Sequence, residues 1–250
     1  MNKKKVIKRV RLRLKFFILL LIITIAGYVF WRSIYIEKIF NIKQIEVSGL
    51  KSYQKAYLLK QINVHLEQNI LFLNNSRIKK SASKLYRIKK ILVNRKFPNK
   101  IEIEVSERKA IYYVCAGNNT YLVDGDGIIF ASEILKNEFD LLYINDRSSA
   151  GYKLGKKVPG GDAEKIIELM RYFPTQTRKN ISEVLYVNND IVMYTVDGIK
   201  IVWGTTLEVS PEKLQILEKL PNIKKDVGPL KYIDMRYGNN PVIKSIESGE

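Results

Sequence analysis

One histidine, His65, and one cysteine, Cys115, are all that the 250 residues contain of those two types. With His65 alone, just past an expected helix, no Ser-His-Asp, Cys-His or multi-histidine metal set can be drawn. A single thiol forms no intramolecular disulfide, so no part of the fold is stapled by one. Cys115 falls in the apolar run Ile111-Tyr-Tyr-Val-Cys115 and reads as a small buried hydrophobe. Glycine-rich phosphate loops are absent. Ser-x-x-Lys occurs six times, from Ser48, Ser52, Ser76, Ser81, Ser106 and Ser210, which in a lysine-rich chain without Lys-Thr-Gly is coincidence. Asp124-Gly-Asp-Gly127 suggests a calcium loop, yet no third ligand and no Glu twelve along follow Asp124. No spacing selects a pair of carboxylates for acid–base work. The chain therefore reads as a binding protein, not an enzyme, with no cofactor and no metal.

Long apolar runs are equally scarce, and the one present dominates. Phe16 to Trp31 holds no charge, and with Arg32 snorkelling the run extends to Ile36. About 20 helical residues cross a hydrocarbon core of about 30 Å, so residues 16–36 are expected to span a membrane. Residues 1–15 carry eight Lys/Arg and no acid, which keeps that tail cytoplasmic and places everything after Ile36 outside. A cleaved signal peptide, cut after Thr24-Ile25-Ala26, is the competing reading. Cleavage there would leave Tyr28-Val-Phe-Trp31 as a bare apolar start, which favours a retained anchor.

Acid is short on one side of the chain only. The formal charge is +18, and residues 41–112 hold sixteen Lys/Arg against five Asp/Glu while residues 113–250 hold seventeen against nineteen. That step predicts a domain boundary near residue 112. The basic part suits an acidic partner: lipid headgroups, an anionic wall polymer or an acidic protein face. Nucleic acid fits the charge but does not meet a domain outside the membrane.

Within residues 37–112 the pattern predicts a strand ending at Gly49, then a helix over Tyr53 to Val64 capped by Ser52, with Ala56, Leu59 and Ile62 inward. A second helix to about Tyr86 carries Ile78, Ala82 and Leu85, and a hairpin over Ile88 to Arg108 closes the unit. This β-α-α-β-β order, with Phe40 to Val47, Phe97-Pro-Asn-Lys-Ile-Glu-Ile-Glu-Val105 and Glu107-Arg-Lys-Ala110, resembles the POTRA domain of the FtsQ/DivIB family of bacterial cell-division proteins.

Residues 113–244 read as short strands and a few helices. Asp162 is expected to cap a helix to Phe173, two-residue turns at Asn189-Asp190 and Asp197-Gly198 separate three strands, and Ser210-Pro211 starts a helix that Pro221 ends. The hairpin Tyr121-Leu-Val-Asp124, the run Val202-Trp-Gly-Thr205, Lys213-Leu-Gln-Ile-Leu217 and Tyr232-Ile-Asp-Met-Arg-Tyr237 before Pro241-Val242 are similar to the second domain of the same family. The expected fold is α+β: a transmembrane helix, a POTRA-like domain, an extended mostly antiparallel sheet with helices on it, and a tail over 245–250. The last strand, Pro241 to Lys244, is expected at or near a sheet edge, where unpaired backbone groups template an added strand. The resemblance implies a non-enzymatic scaffold of septal wall synthesis whose C-terminal strand region receives FtsB/DivIC-like and FtsL-like subunits. The candidate contact residues are Arg236, Tyr237, Gly238, Asn239, Asn240, Val242, Ile243 and Lys244. The alternative is a membrane-anchored wall-polymer-binding or wall-modifying protein that uses the basic domain.

Overall fold

The computed structural model describes residues 3–35, 38–132, 141–147, 151–237 and 240–245. Helix α1 (Lys3–Tyr35) contains the segment Leu14–Ser33, 20 residues with a mean hydropathy of 2.2, long and apolar enough to cross a membrane. Ile36, the last residue of the expected span, lies outside the described residues.

Beyond α1 the chain forms two units. In the first, a three-stranded sheet has the order β1-β3-β2, built from β1 (Gln44–Ser48), β2 (Ile88–Lys96) and β3 (Lys100–Glu107). β1 runs parallel to β3, with Ile45 opposite Ile101 and Val47 opposite Ile103. Strand alternation sends Ile45, Ile101, Ile103 and Val105 inward, where they are buried with Leu58 and Ile62 of the first helical segment and Ile78 of the second. Gly49 ends β1 for a steric reason: its φ is +75°, and a Cβ there would sit 2.0 Å from the Val105 carbonyl oxygen.

Helix α2 (Lys55–Gln61) is shorter than expected and is turned differently. Leu58 and Ile62 face inward while Ala56 is exposed. Ser52 is not its cap. The Ser52 hydroxyl donates to the Glu107 carboxylate at 2.5 Å, and Glu107 also accepts the backbone N–H groups of Lys51 and Ser52, so the strand end, not the helix, holds this turn. Helix α3 (Asn75–Ala82) is capped by Asn74, whose side chain accepts from Ser76 and Arg77 N–H.

The second unit is one nine-stranded sheet ordered β12-β11-β10-β9-β8-β7-β4-β5-β6. Its strands are β4 (Tyr112–Ala116), β5 (Asn119–Val123), β6 (Ile129–Ser132), β7 (Leu142–Asp146), β8 (Ile181–Val187), β9 (Asp190–Thr195), β10 (Lys200–Gly204), β11 (Leu230–Asp234) and β12 (Val242–Ser245). Five neighbouring pairs are antiparallel; β4 with β7, β7 with β8, and β10 with β11 are parallel. Parallel joins need long crossovers: two helices lie between β7 and β8, two more lie between β10 and β11, and strands β5 and β6 lie between β4 and β7. Helix α4 (Asp162–Arg171) buries Ile166, Ile167 and Met170 on one face of the sheet, beside Phe173 and Trp203. The opposite face carries a smaller cluster of Tyr113, Leu122, Phe130 and Ala131, with Tyr113 stacked on Tyr143 at 5.0 Å between ring centres.

Several local expectations change. Asp162 lies in the first turn of α4 after Gly161, and its side chain caps nothing. A short helix α5 (Thr175–Lys179) follows Pro174 directly. Pro221 begins helix α7 (Leu220–Val227) immediately after α6 (Pro211–Glu218). A first-turn proline loses no helical donor, which is why the same residue that ends one helix can open the next. The β8–β9 turn is Asn188-Asn189, both at positive φ, so Asp190 is the first residue of β9. Cys115 is half-buried and not fully enclosed; it lies across from Thr120 in the β4–β5 pair.

Candidate functional site

The nine-stranded sheet has two outer strands. At one end the chain itself covers β6: Ile129 N–H donates to the Lys156 carbonyl at 2.9 Å, and Gly155 N–H donates to the Ile129 carbonyl at 2.7 Å. Ile128 forms a bridge with Lys157, and three of the four residues of β6 are buried. Asp124 braces the turn into this strand. One carboxylate oxygen accepts Asp126 and Ile128 N–H at 2.9 Å each, and the other takes Arg108 at 2.5 Å. The Asp-Gly-Asp-Gly motif is thus a turn whose first carboxylate is filled by protein donors.

At the other end lies β12. It pairs antiparallel with β11, placing Val242 opposite Asp234, Ile243 opposite Ile233 and Lys244 opposite Tyr232. Among the described residues nothing pairs with its far side. Val242 is 48% exposed and Ile243 37%, an apolar pair on the outermost strand. β11 itself is interior, held parallel to β10 with Ile233 opposite Ile201.

The approach to β12 is pinned by Arg236. Its guanidinium reaches Asp234 through Nε at 3.0 Å and Nη2 at 2.6 Å, and reaches Asp190 through Nη1 at 3.1 Å. This fork joins the end of β11 to the start of β9. Arg236 holds the Asp234 carboxyl below the usual aspartate range. Met235 is buried and donates its N–H to the Val202 carbonyl at 2.8 Å, fixing the strand exit from the other side. Tyr237 next to it is 65% exposed.

Of the candidate contact residues, the structure thus gathers Arg236, Tyr237, Asn240, Val242, Ile243 and Lys244 at one edge. Gly238 and Asn239 lie outside the described residues. Sequence reasoning missed Asp190 and Asp234, the carboxylates that hold Arg236. Asp234 precedes Arg236 by two residues and was a visible candidate; Asp190 is 46 residues away, and only the sheet order brings it near.

A cleft of about 610 Å³ opens at the starts of β4, β7 and β8, between Tyr112, Leu142, Ser182 and the α5 cations Arg178 and Lys179. Among the described residues no Asp, Glu, His or Cys lines it. Lys213 on α6 is a buried cation that donates to the Trp203 carbonyl at 3.1 Å and lies 4.6 Å from the Trp203 ring centre. Burial pushes its ammonium below the usual lysine range. It packs against Trp203, a core residue of β10.

A helix long and apolar enough to cross a membrane, a small β-α-α-β-β unit and a large mostly antiparallel sheet with β12 at its rim define an α+β protein of two folded units. The family model for the POTRA domain, FtsQ-type, matches residues 40–108, and that for Cell division protein FtsQ/DivIB, C-terminal, matches residues 112–236. The chain belongs to the FtsQ/DivIB family of cell-division proteins. It is 25% identical over 211 residues to Cell division protein DivIB of Clostridium acetobutylicum, covering 81% of this chain and 82% of the relative. Cell division protein DivIB of Listeria monocytogenes is 23% identical, with 98% and 88% covered. Cell division protein FtsQ of Geotalea daltonii is 22% identical, with 88% and 82% covered. The solved extracytoplasmic domain of DivIB from Geobacillus stearothermophilus aligns with 48% of this chain and 92% of its own, at 19% identity and a TM-score of 0.28.

Proposed function

We propose that this divisome protein is a non-enzymatic scaffold that takes up a strand from a partner subunit along the free side of β12. Leu14–Ser33 anchors it with the N-terminus in the cytoplasm and both folded units outside, at the septum. The partners this reading names are FtsB/DivIC-like and FtsL-like division proteins. The observation that carries it is the contrast between the two outer strands: β6 is covered by the chain's own backbone, while β12 has one neighbour among the described residues and exposes Val242 and Ile243. Strand addition would pair the backbone, and alternate side chains would read Val242 and Ile243. Arg236 positions the edge, and Tyr237 and Lys244 flank it.

The test is capture of FtsB/DivIC-like and FtsL-like peptides by the full chain in nanodiscs, compared with a chain truncated after Asn240. Binding that is lost on truncation and persists at high salt supports strand addition. Binding that survives truncation, or that high salt abolishes, places the contact on a charged surface and overturns the proposal.

A further inference from the structure

Most of the excess positive charge in residues 38–82 and 90–107 of the first unit falls in its helical segment. Its strands nearly balance: residues 44–48, 88–96 and 100–107 hold five Lys/Arg and four Glu. On these strands the charges meet one another, Lys100 with Glu46 at 3.0 Å and with Glu102 at 3.3 Å, and Lys96 with Glu102 at 3.5 Å. The helical segment, residues 50–82, holds six Lys/Arg against the single acid Glu67. Lys60 on α2 and Arg77 and Lys79 on α3 are exposed.

The same segment exposes large apolar side chains. Tyr57 is 45% exposed, Leu66 54% and Phe72 62%. Single exposed apolar side chains are ordinary on a wet surface, but three large ones within one cationic segment add contacts that a soluble polyanion, held by charge alone, would not use. Cations mixed with aromatic and leucine side chains are what a headgroup region accepts, the charges on phosphate and the apolar groups at the acyl boundary.

Chain length supplies the second argument. Only two residues, Ile36 and Glu37, separate the end of α1 at Tyr35 from Lys38, where the described chain resumes. At up to about 3.5 Å per residue, that tether holds the start of the unit within about 10 Å of the helix end, close to one Debye length at about 0.1 M salt. We infer that the α2–α3 segment of this unit lies on the anionic phospholipid headgroups of the membrane that holds α1. The contact is independent of strand addition at β12, and each can fail without the other.

The test is amine acylation of the full chain in phosphatidylcholine vesicles and in vesicles containing phosphatidylglycerol, read residue by residue by mass spectrometry. Labelling of Lys60 and Lys79 should fall about threefold or more with the anionic lipid and recover at about 0.5 M salt. Lys100 on β3 and Lys153 in the second unit should not change, and Lys100 also reports that the unit is folded. In a Lys60→Gln, Arg77→Gln variant the protection of Lys79 should disappear. Equal labelling in both vesicles overturns the inference, as does protection of Lys153 to the same degree. Protection by a soluble teichoic acid in phosphatidylcholine vesicles, with none from phosphatidylglycerol, would overturn it in favour of a wall polymer.

Discussion

The two rims of the large sheet are finished by different means. β6 is short, mostly buried and bonded to the loop around Gly155, whereas β12 is exposed at three of its four residues and follows a turn held by Arg236. An uncovered strand edge is a hazard that folded chains usually block. Here one rim is blocked by ordinary loop backbone and the other is held in shape by a salt-linked exit. Among the described residues this second rim has shape without cover, which is what the proposed docking edge requires.

The sharpest way to break this contrast is to remove the uncovered rim. Truncation after Asn240 should abolish partner capture while leaving the calorimetric transition of the second unit in place, since β12 contributes no fully buried side chain. Loss of the fold on this truncation would show β12 to be structural.

The covered rim should be the costlier one to damage. Asp124→Ala leaves Arg108 buried against lost acceptors and frees two backbone N–H groups, which should destabilise the second unit by about 3 kcal/mol in urea titration. If the two rims differ as described, this variant should also self-associate through the loosened β6, as seen by sedimentation, while partner capture by the folded fraction is retained.

The open rim's exit carries a pH signature. Because Arg236 depresses the Asp234 carboxyl, its stabilising contribution is complete above the ordinary aspartate value of about 3.9 and is lost as pH falls through the lower folded value. Asp234→Asn should therefore melt below the parent at pH 7, and the gap should close in strongly acidic buffer. A gap that persists there would mean the carboxylate charge is irrelevant.

The smallest effect is expected between the rims. Lys213→Met keeps the volume against Trp203 and removes a buried cation, so the change should lie within about 1 kcal/mol and leave both edges as they were. A large loss would assign the Lys213–Trp203 bond a larger part in the sheet's stability.

Much of this was legible in the residues. The apolar run at 16–31 announced a helix long and apolar enough to cross a membrane, and the alternation of Ile101, Ile103 and Val105 announced a half-buried strand. Val242 and Ile243 as the rim followed from being the last strand-like run. Helix starts were read less well, because sequence offers several acceptors and the fold assigns them by distance: Ser52 is taken by Glu107, 55 residues on, leaving α2 to begin at Lys55. The three parallel joins were hidden for a similar reason, since neighbours in the sheet need not be neighbours in the chain. Asp190, joined to Arg236 across that gap, could not be found by spacing at all.

Strand order also sets when the rim comes into being. β11 and β12 come after every other strand of the sheet in the chain, so a ribosome delivers the sheet's interior and its shielded side first. A polypeptide cut short during synthesis, even after α7, ends its sheet at β10 and has no Val242 or Ile243 to offer. The proposed strand addition would thereby be restricted to molecules whose translation has passed residue 245.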